Sequence, residues 1–243
     1  METYIEDKDL MAFFLRENIT DPRGRVTLVD NDAQSITAEK IVNVSSTFKI
    51  SHITNVKLDS NSLVAFVDYL YDIKNRKIIF FEEQTGSLTF DIYGGVKTII
   101  VNDIVVDNKV NWIFSDIPRN NNMSNDNFPR ISIIYISRPT QILGNFDSCE
   151  VTNNRFQVDV WTKKDYVASV DVGGYNSNLA DDKLAMFLNN SIKDSLKANA
   201  FDLTSKHFRD FIPIESPRLE DFNDELNLYN SKLEFFIKSI KTN

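Results

Sequence analysis

One cysteine and two histidines in 243 residues exclude much at the outset. A lone cysteine, Cys149, closes no internal disulfide, so the chain is not a disulfide scaffold. His52 and His207 with that one cysteine cannot assemble an ordinary His/Cys zinc site. Neither histidine has a visible partner in the sequence, and each reads as a structural residue. Cys149 has no neighbouring cation to activate it and reads as an inert thiol. Glycine is scarce, at seven residues. No Walker loop, GxGxxG or GxSxG occurs, and Gly94-Gly95 reads as a hairpin turn. No run approaches the roughly 18 apolar residues of a membrane span. The opening METYIEDKDLMAFFL is acidic and lacks the basic start and apolar centre of a signal peptide, so the expectation is a chain neither exported nor membrane-embedded. Basic residues are also in deficit: 27 Lys and Arg stand against 35 Asp and Glu, a net charge of -8. That balance opposes a general nucleic-acid-binding surface, which must neutralise phosphates.

What the chain does have is apolar substance, 42% of its residues, enough for one large domain or two modest ones. EDKDLMAFFLREN, residues 6 to 18, spaces Leu10, Phe13 and Phe14 as an amphipathic helix with acidic residues in its first turn. Pro22 and Gly24 stop it. From residue 45 to 113, short β-rich runs alternate with SN, KN, TG, GG and DN turn signals, which predicts a small antiparallel β-sandwich-like or meander module. IPRNNNMSNDN then reads as an exposed loop.

A second sheet is predicted beyond it. PRISIIYISRP is apolar on both faces, like a central strand covered on two sides. Its expected partner is SCEVTNNRFQVDVWTKK, in which Asn153-Asn154 suits a turn or bulge. Residues 178 to 199 give the clearest helix, with Leu184, Leu188, Ile192 and Leu196 on one stripe and Asn178 with Asp181 resembling a capping arrangement. ELNLYNSKLEFFIKSI closes the chain as a strand. The acidic pairs Glu82-Glu83 and Asp181-Asp182 lack a calcium-loop pattern and read as solvated charge at element ends.

In RFQVDVWTKKD, Phe156, Val158 and Val160 alternate with Gln157, Asp159 and Trp161. A tryptophan on the polar face needs cover. That cover is either the helix at 180 to 198 in ordinary two-layer packing, or another subunit, where tryptophan is enriched. Phe236 in the closing strand shows the same doubled-face character.

Three short motifs recur in order: Phe128, Pro129, Arg130 and Ile131 open one strand; Val158, Asp159, Val160 and Trp161 sit in the next; Leu228 and Tyr229 introduce the last, which carries Phe235. With the early helix, this order resembles the tail terminator (tail completion) proteins of long-tailed bacteriophages and related archaeal viruses. The resemblance spans roughly residues 5 to 22 and 113 to 240. It implies an α+β fold, a mixed or antiparallel sheet flanked by helices, formed by residues 1–44 and 114–243, with residues 45–113 as an inserted small antiparallel β domain. It also implies a virion structural protein that forms a ring, commonly hexameric, at the head-tail neck. The ring caps the tail tube and joins it to the head-side connector, with no catalysis and no cofactor. Its partners would be further copies of itself, the tail tube protein and neck proteins, with DNA passing through unbound. Its location would be the virion, and the host cytoplasm during assembly.

On that reading the candidate subunit interface is Trp161, Phe236 and Arg130, because a closed ring needs two unlike patches on each subunit. Asp181, Asp182, Glu220, Asp221 and Asp224 are candidate lumen charges that would repel phosphates. The alternatives are another neck, head-closure or baseplate component, or a glycan-binding host-recognition module using Tyr69, Tyr71 and Tyr93 as a platform.

Overall fold

The computed structural model describes residues 6–95, 99–101, 104–106, 112–115, 128–137, 140–142, 149–172, 174–199, 210–213, 218–219 and 227–242. It divides into two units, residues 1–111 and 112–243. Among the described residues both are dominated by sheet and each contains one helix, so the chain is α+β in the broad sense.

The N-terminal unit begins with α1 (Asp7–Asn18), whose first turn holds Asp7 and Asp9 and whose last turn holds Arg16, charges that suit the two ends of the helix dipole. Leu10, Met11, Ala12, Phe13, Phe14 and Leu15 are all buried. Six consecutive buried positions cover every side of the helix, so it is enclosed rather than laid on a surface by one stripe. Phe13 stacks on Phe66 at 5.5 Å and meets Tyr71 edge-on at 5.6 Å. Asp21 shapes the turn that follows: its carboxylate accepts from the Arg25 side chain through two bonds of 2.8 Å and from the Arg23 and Arg25 backbone amides.

Five strands follow: β1 (Thr27–Asn43), β2 (Lys49–Leu58), β3 (Asn61–Ser62), β4 (Tyr69–Asp72) and β5 (Lys77–Gly95). They form one sheet in the order β1-β5-β2-β3, with β4 also paired to β5. β1 runs antiparallel to β5 from Thr27 opposite Gly94 to Asn43 opposite Lys77. β1 and α1 therefore belong with the β module, which corrects the expectation of a module inserted at 45–113 between halves of one α/β domain. The reason it was hidden is that β1 is exposed along most of its length. Period-two hydrophobicity marks a strand only where one face is buried.

Two expected turns also lie inside β5. Thr85-Gly86 and Gly94-Gly95 are strand residues, not hairpin tips. A Cβ on Gly94 would collide with the backbone carbonyl of Lys49 on β2, so glycine there serves a close approach of two strands. The true β4–β5 turn is set by Asp72, whose Oδ1 accepts from the amides of Lys74 and Asn75 at 3.0 and 2.9 Å. Two short strands, β6 (Ile99–Val101) and β7 (Ile104–Val106), pair with each other as a two-stranded sheet.

The C-terminal unit holds β8 (Ile113–Phe114), β9 (Arg130–Ser137), β10 (Thr140–Ile142), β11 (Cys149–Lys163), β12 (Val167–Val172), β13 (Tyr175–Ala180), α2 (Asp181–Ala198), β14 (Asp210–Pro213), β15 (Arg218–Leu219) and β16 (Leu228–Thr242). Seven of these strands form one mixed sheet, ordered β14-β16-β11-β9-β8, with β10 on β11 and β15 on β16. Among the described residues of this sheet only the β8–β9 pair is parallel. β11 pairs with β9, as expected, and the closing strand β16 lies on its other side. Asn153 and Asn154 form no turn; β11 runs straight through them, and the irregularity lies beside them, between Arg155 and Phe156 in the pairing with β9. β9 is not covered on both sides along its length: Ile131, Ile133 and Ser132 are buried, whereas Tyr135 and Ile136 are exposed.

β12 and β13 make a separate hairpin that hands the chain to α2. Asn178 is a strand residue there, and Ala180 occupies the N-cap of α2 without a side-chain cap bond, so the expected Asn178–Asp181 cap does not form. Asp181 instead turns the chain with φ +54°, a conformation aspartate tolerates.

Candidate functional site

Strand parity decides what each residue of the central sheet faces. Phe156, Val158 and Val160 of β11 lie opposite Phe235, Leu233 and Ser231 of β16, and opposite Tyr135, Ile133 and Ile131 of β9. These form the apolar face. Phe156 and Phe235 stack at 5.7 Å, and Tyr135 meets Phe156 edge-on at 5.5 Å. α2 packs against β11 and β16. Asn189 Nδ2 of the helix donates to Ser231 Oγ at 2.8 Å, and Thr162 Oγ1 donates to the Asp181 carbonyl at 2.7 Å. Both sheet partners belong to the apolar face, so α2 covers that face with Leu184, Leu188, Ile192 and Leu196.

Trp161 is thereby on the other side. The first of its two expected covers, the helix at 180 to 198, is corrected: the helix needs the apolar face, and Trp161 has the opposite parity from Val160. Arg130 lies directly opposite Trp161 in the β9–β11 register, and Asn230 lies opposite it in the β11–β16 register. Arg130, Ser132, Asp159, Trp161 and Asn230 therefore form one cluster on the face away from α2.

The cluster is unusual in its polarity. Arg130 is 3% exposed, Ser132 1%, Asp159 6% and Asn230 8%, while Trp161 is half-buried. The Arg130 guanidinium sits 5.1 Å from the centre of the Phe128 ring and 6.0 Å from that of Trp161, a cation held between two aromatic rings. Burial holds its pKa below the ordinary arginine value. Arg130 Nε and Nη1, Ser132 Oγ and Asn230 Oδ1 are buried without a hydrogen-bond partner. Asp159 is already engaged, its carboxylate accepting from Gln157 Nε2 at 2.8 and 3.1 Å. The guanidinium is thus flanked by two aromatic rings, with two of its N–H groups and the neighbouring Ser132 hydroxyl sealed in the same layer.

Of the predicted interface residues, the fold brings Arg130 and Trp161 together and leaves Phe236 apart. Phe236 shares their face but pairs with Arg155, six positions along β11 from Trp161, or about 20 Å at ~3.3 Å per residue. Near it Arg155 and Glu234 form an ion pair of 2.6 Å. Asp181 and Asp182 sit half-buried at the start of α2, where Asp181 Oδ1 accepts from the Asp165 amide at 2.8 Å. Glu220, Asp221 and Asp224 lie outside the described residues, as do His207 and the side chain of Cys149.

The tyrosine platform is corrected. Tyr69 and Tyr71 are each 1% exposed, in the core of the N-terminal unit. Tyr93 stacks on buried His52 at 5.1 Å with the rings 10° from parallel. Desolvation, with the charge of Arg16 second, depresses the His52 pKa to about 3. Ser132 and Asn230 were not singled out by sequence; Ser132 carried a signal as a polar residue inside the apolar run ISIIYI, whereas Asn230 stands in the polar stretch Asn230-Ser231-Lys232 and carried none.

Among the described residues no group of His, Cys, Asp and Glu could hold a metal ion, and no helix is long and apolar enough to cross a membrane. No protein-family model matches the chain, and no match is found among curated proteins.

Proposed function

We propose that the chain is a ring-forming structural protein of a virus particle, a tail terminator acting at the head-tail neck, which works by recognition and performs no reaction. The observation that carries this reading is the joining of three distant motifs in one sheet. The strand opened by Phe128-Pro129-Arg130, the strand bearing Val158 to Trp161 and the strand introduced by Leu228-Tyr229 are adjacent, and α2 follows in the chain to cover one face. That order supports the resemblance in the part of the chain where its motifs lie. α1 lies in the other unit and lends no support.

Ring closure requires two different surfaces on each subunit that meet head to tail. The central sheet has two unlike sides, one covered by a helix with an acidic first turn and one carrying the Arg130–Trp161 cluster. The net charge of -8 fits a channel that passes DNA without retaining it. Tail tube protein and head-side neck proteins are the partners this role requires.

The test is the mass of the purified chain in solution by light scattering, with negative-stain imaging of the same sample. Rings of one subunit number are the expected result. A chain that remains monomeric across the accessible concentration range, with no rings on the grid, refutes the reading.

A further inference from the structure

Among the described residues β1 pairs on one side only, with β5, and its other edge is open. Asp30 to Ile36 runs straight along β5 from Ile92 to Gly86 without a register shift, and irregularities bound this window at both ends. Beyond it the strand bends. Ala38 takes φ +52°, and the Asn43 carbonyl comes back to accept from Gln34 Nε2 at 3.2 Å, across nine residues that would span about 30 Å if extended. The neighbours of the window on β5 show which of its amides face outward. Asp59 N donates to the Ser87 carbonyl at 2.9 Å, and the Ser87 amide donates to Asp59 Oδ1 at 2.8 Å. Both backbone groups of Ser87 therefore point away from β1, and Ser35, opposite it, turns its own amide to the open edge. Alternation puts Ala33 and Asn31 outward as well, and all three residues are exposed. A row of free strand amides is a template for another chain. Here two of the three are occupied: the Asn31 amide donates to Asp30 Oδ1 and the Ala33 amide to Asp32 Oδ1, each at 2.9 Å. Asp32 is itself held in place, its Oδ2 accepting from Gln34 Nε2 at 2.7 Å.

We propose that Asp30 and Asp32 guard this edge, their carboxylates keeping β1 closed to strand addition by a second copy of the chain. An incoming strand must offer carbonyls to the outward amides, and two of those amides already donate to carboxylates, in charge-assisted bonds that a neutral carbonyl does not match. Charge works in the same direction. Identical chains pair most simply about a twofold axis, because one patch then serves twice. An antiparallel pairing centred on Ala33 sets Asp32 against Gln34 and Asp30 against Ile36 of the other copy, so four carboxylates share one face of the joined sheet. Centred on Asn31, it sets Asp30 directly against Asp32. Without the two carboxylates the window carries no charge and offers its row of amides complete. The guard thus confines association to surfaces elsewhere on the subunit. It does not rest on the ring reading, whose motifs lie in the C-terminal unit.

The experiment compares the full-length chain with its Asp30→Ala/Asp32→Ala variant by sedimentation equilibrium, the wild-type assembly state serving as the baseline. The double change should strengthen self-association roughly tenfold or more. Adding Ala33→Pro should return association to the wild-type level, since proline removes an outward amide and leaves the β1–β5 ladder intact. Ser35→Pro supplies the same block at a second outward position, and circular dichroism checks that each variant folds. Amide proton shifts give a readout that does not depend on association. In wild type those of Asn31 and Ala33 should move as acid protonates the two carboxylates, while that of Ser35, which follows Gln34, stays nearly fixed. A double variant that associates no more than wild type, association that survives both prolines, or Asn31 and Ala33 shifts that do not move each overturn the inference. None of these outcomes touches the ring reading, which the mass of the wild-type chain tests by itself.

Discussion

His52 and Glu17 give the N-terminal unit opposing responses to acid, and the balance between them can be measured. His52 is 7% exposed, and its pKa falls from 6.5 to about 3 through desolvation first and the Arg16 charge second. Because the folded form resists protonation, His52's contribution to stability is intact above pH 6.5 and is lost as pH falls toward the folded value. Desolvation acts on Glu17 in the other direction, pushing its carboxyl up from 4.5 to about 7. Its contribution is intact below pH 4.5 and is lost as pH rises through 7. Between pH 4.5 and 6.5 the two slopes oppose. One fully coupled group changes stability by ~1.4 kcal/mol per pH unit, so the His52 loss over those two units is about 3 kcal/mol. By the same arithmetic Glu17 offsets most of that, so the wild-type unit changes little across the window.

Glu17→Gln removes the offset, so acidification from pH 6.5 to 4.5 should destabilise this variant by more than it destabilises wild type. His52→Gln removes the loss and should shift the slope the other way. Amide hydrogen exchange of α1 and β2 is the suitable assay, since both tryptophans, Trp112 and Trp161, lie in the C-terminal unit and their fluorescence reports elsewhere. Other carboxylates contribute equally to all three chains and cancel in the comparison. Three parallel profiles across that window would refute the argument.

Two further outcomes follow from packing. Leu188→Ala opens a cavity between α2 and the sheet and should cost about 2–5 kcal/mol, read as a lower denaturant midpoint in tryptophan fluorescence; a change under ~1 kcal/mol would show that the helix stripe is not a packed layer. Gly94→Ala drives a methyl group into the Lys49 carbonyl and should cost about 1–3 kcal/mol or more, visible as faster exchange along β2 and β5; wild-type exchange rates there would mean the two strands are not so closely apposed.

Local pattern alone determined both helices, because Leu184 to Leu196 at helical spacing, and Leu10 to Leu15 without glycine or proline, leave no better way to bury their apolar groups. It also determined the three long strands of the C-terminal sheet, where alternation reports one buried face. Tertiary structure decided everything that depends on which element covers which face. β1 is polar along most of its length, so its pairing to β5, and with it the division at residue 111, had no period to betray it. Trp161 was visible as an anomaly, but only the seating of α2 on the Val160 side shows that the ring turns away from the helix and toward Arg130. The unmet bonds of Arg130, Ser132 and Asn230 arise from strands distant in sequence, and a hydrogen bond that is not made leaves no mark on residue order.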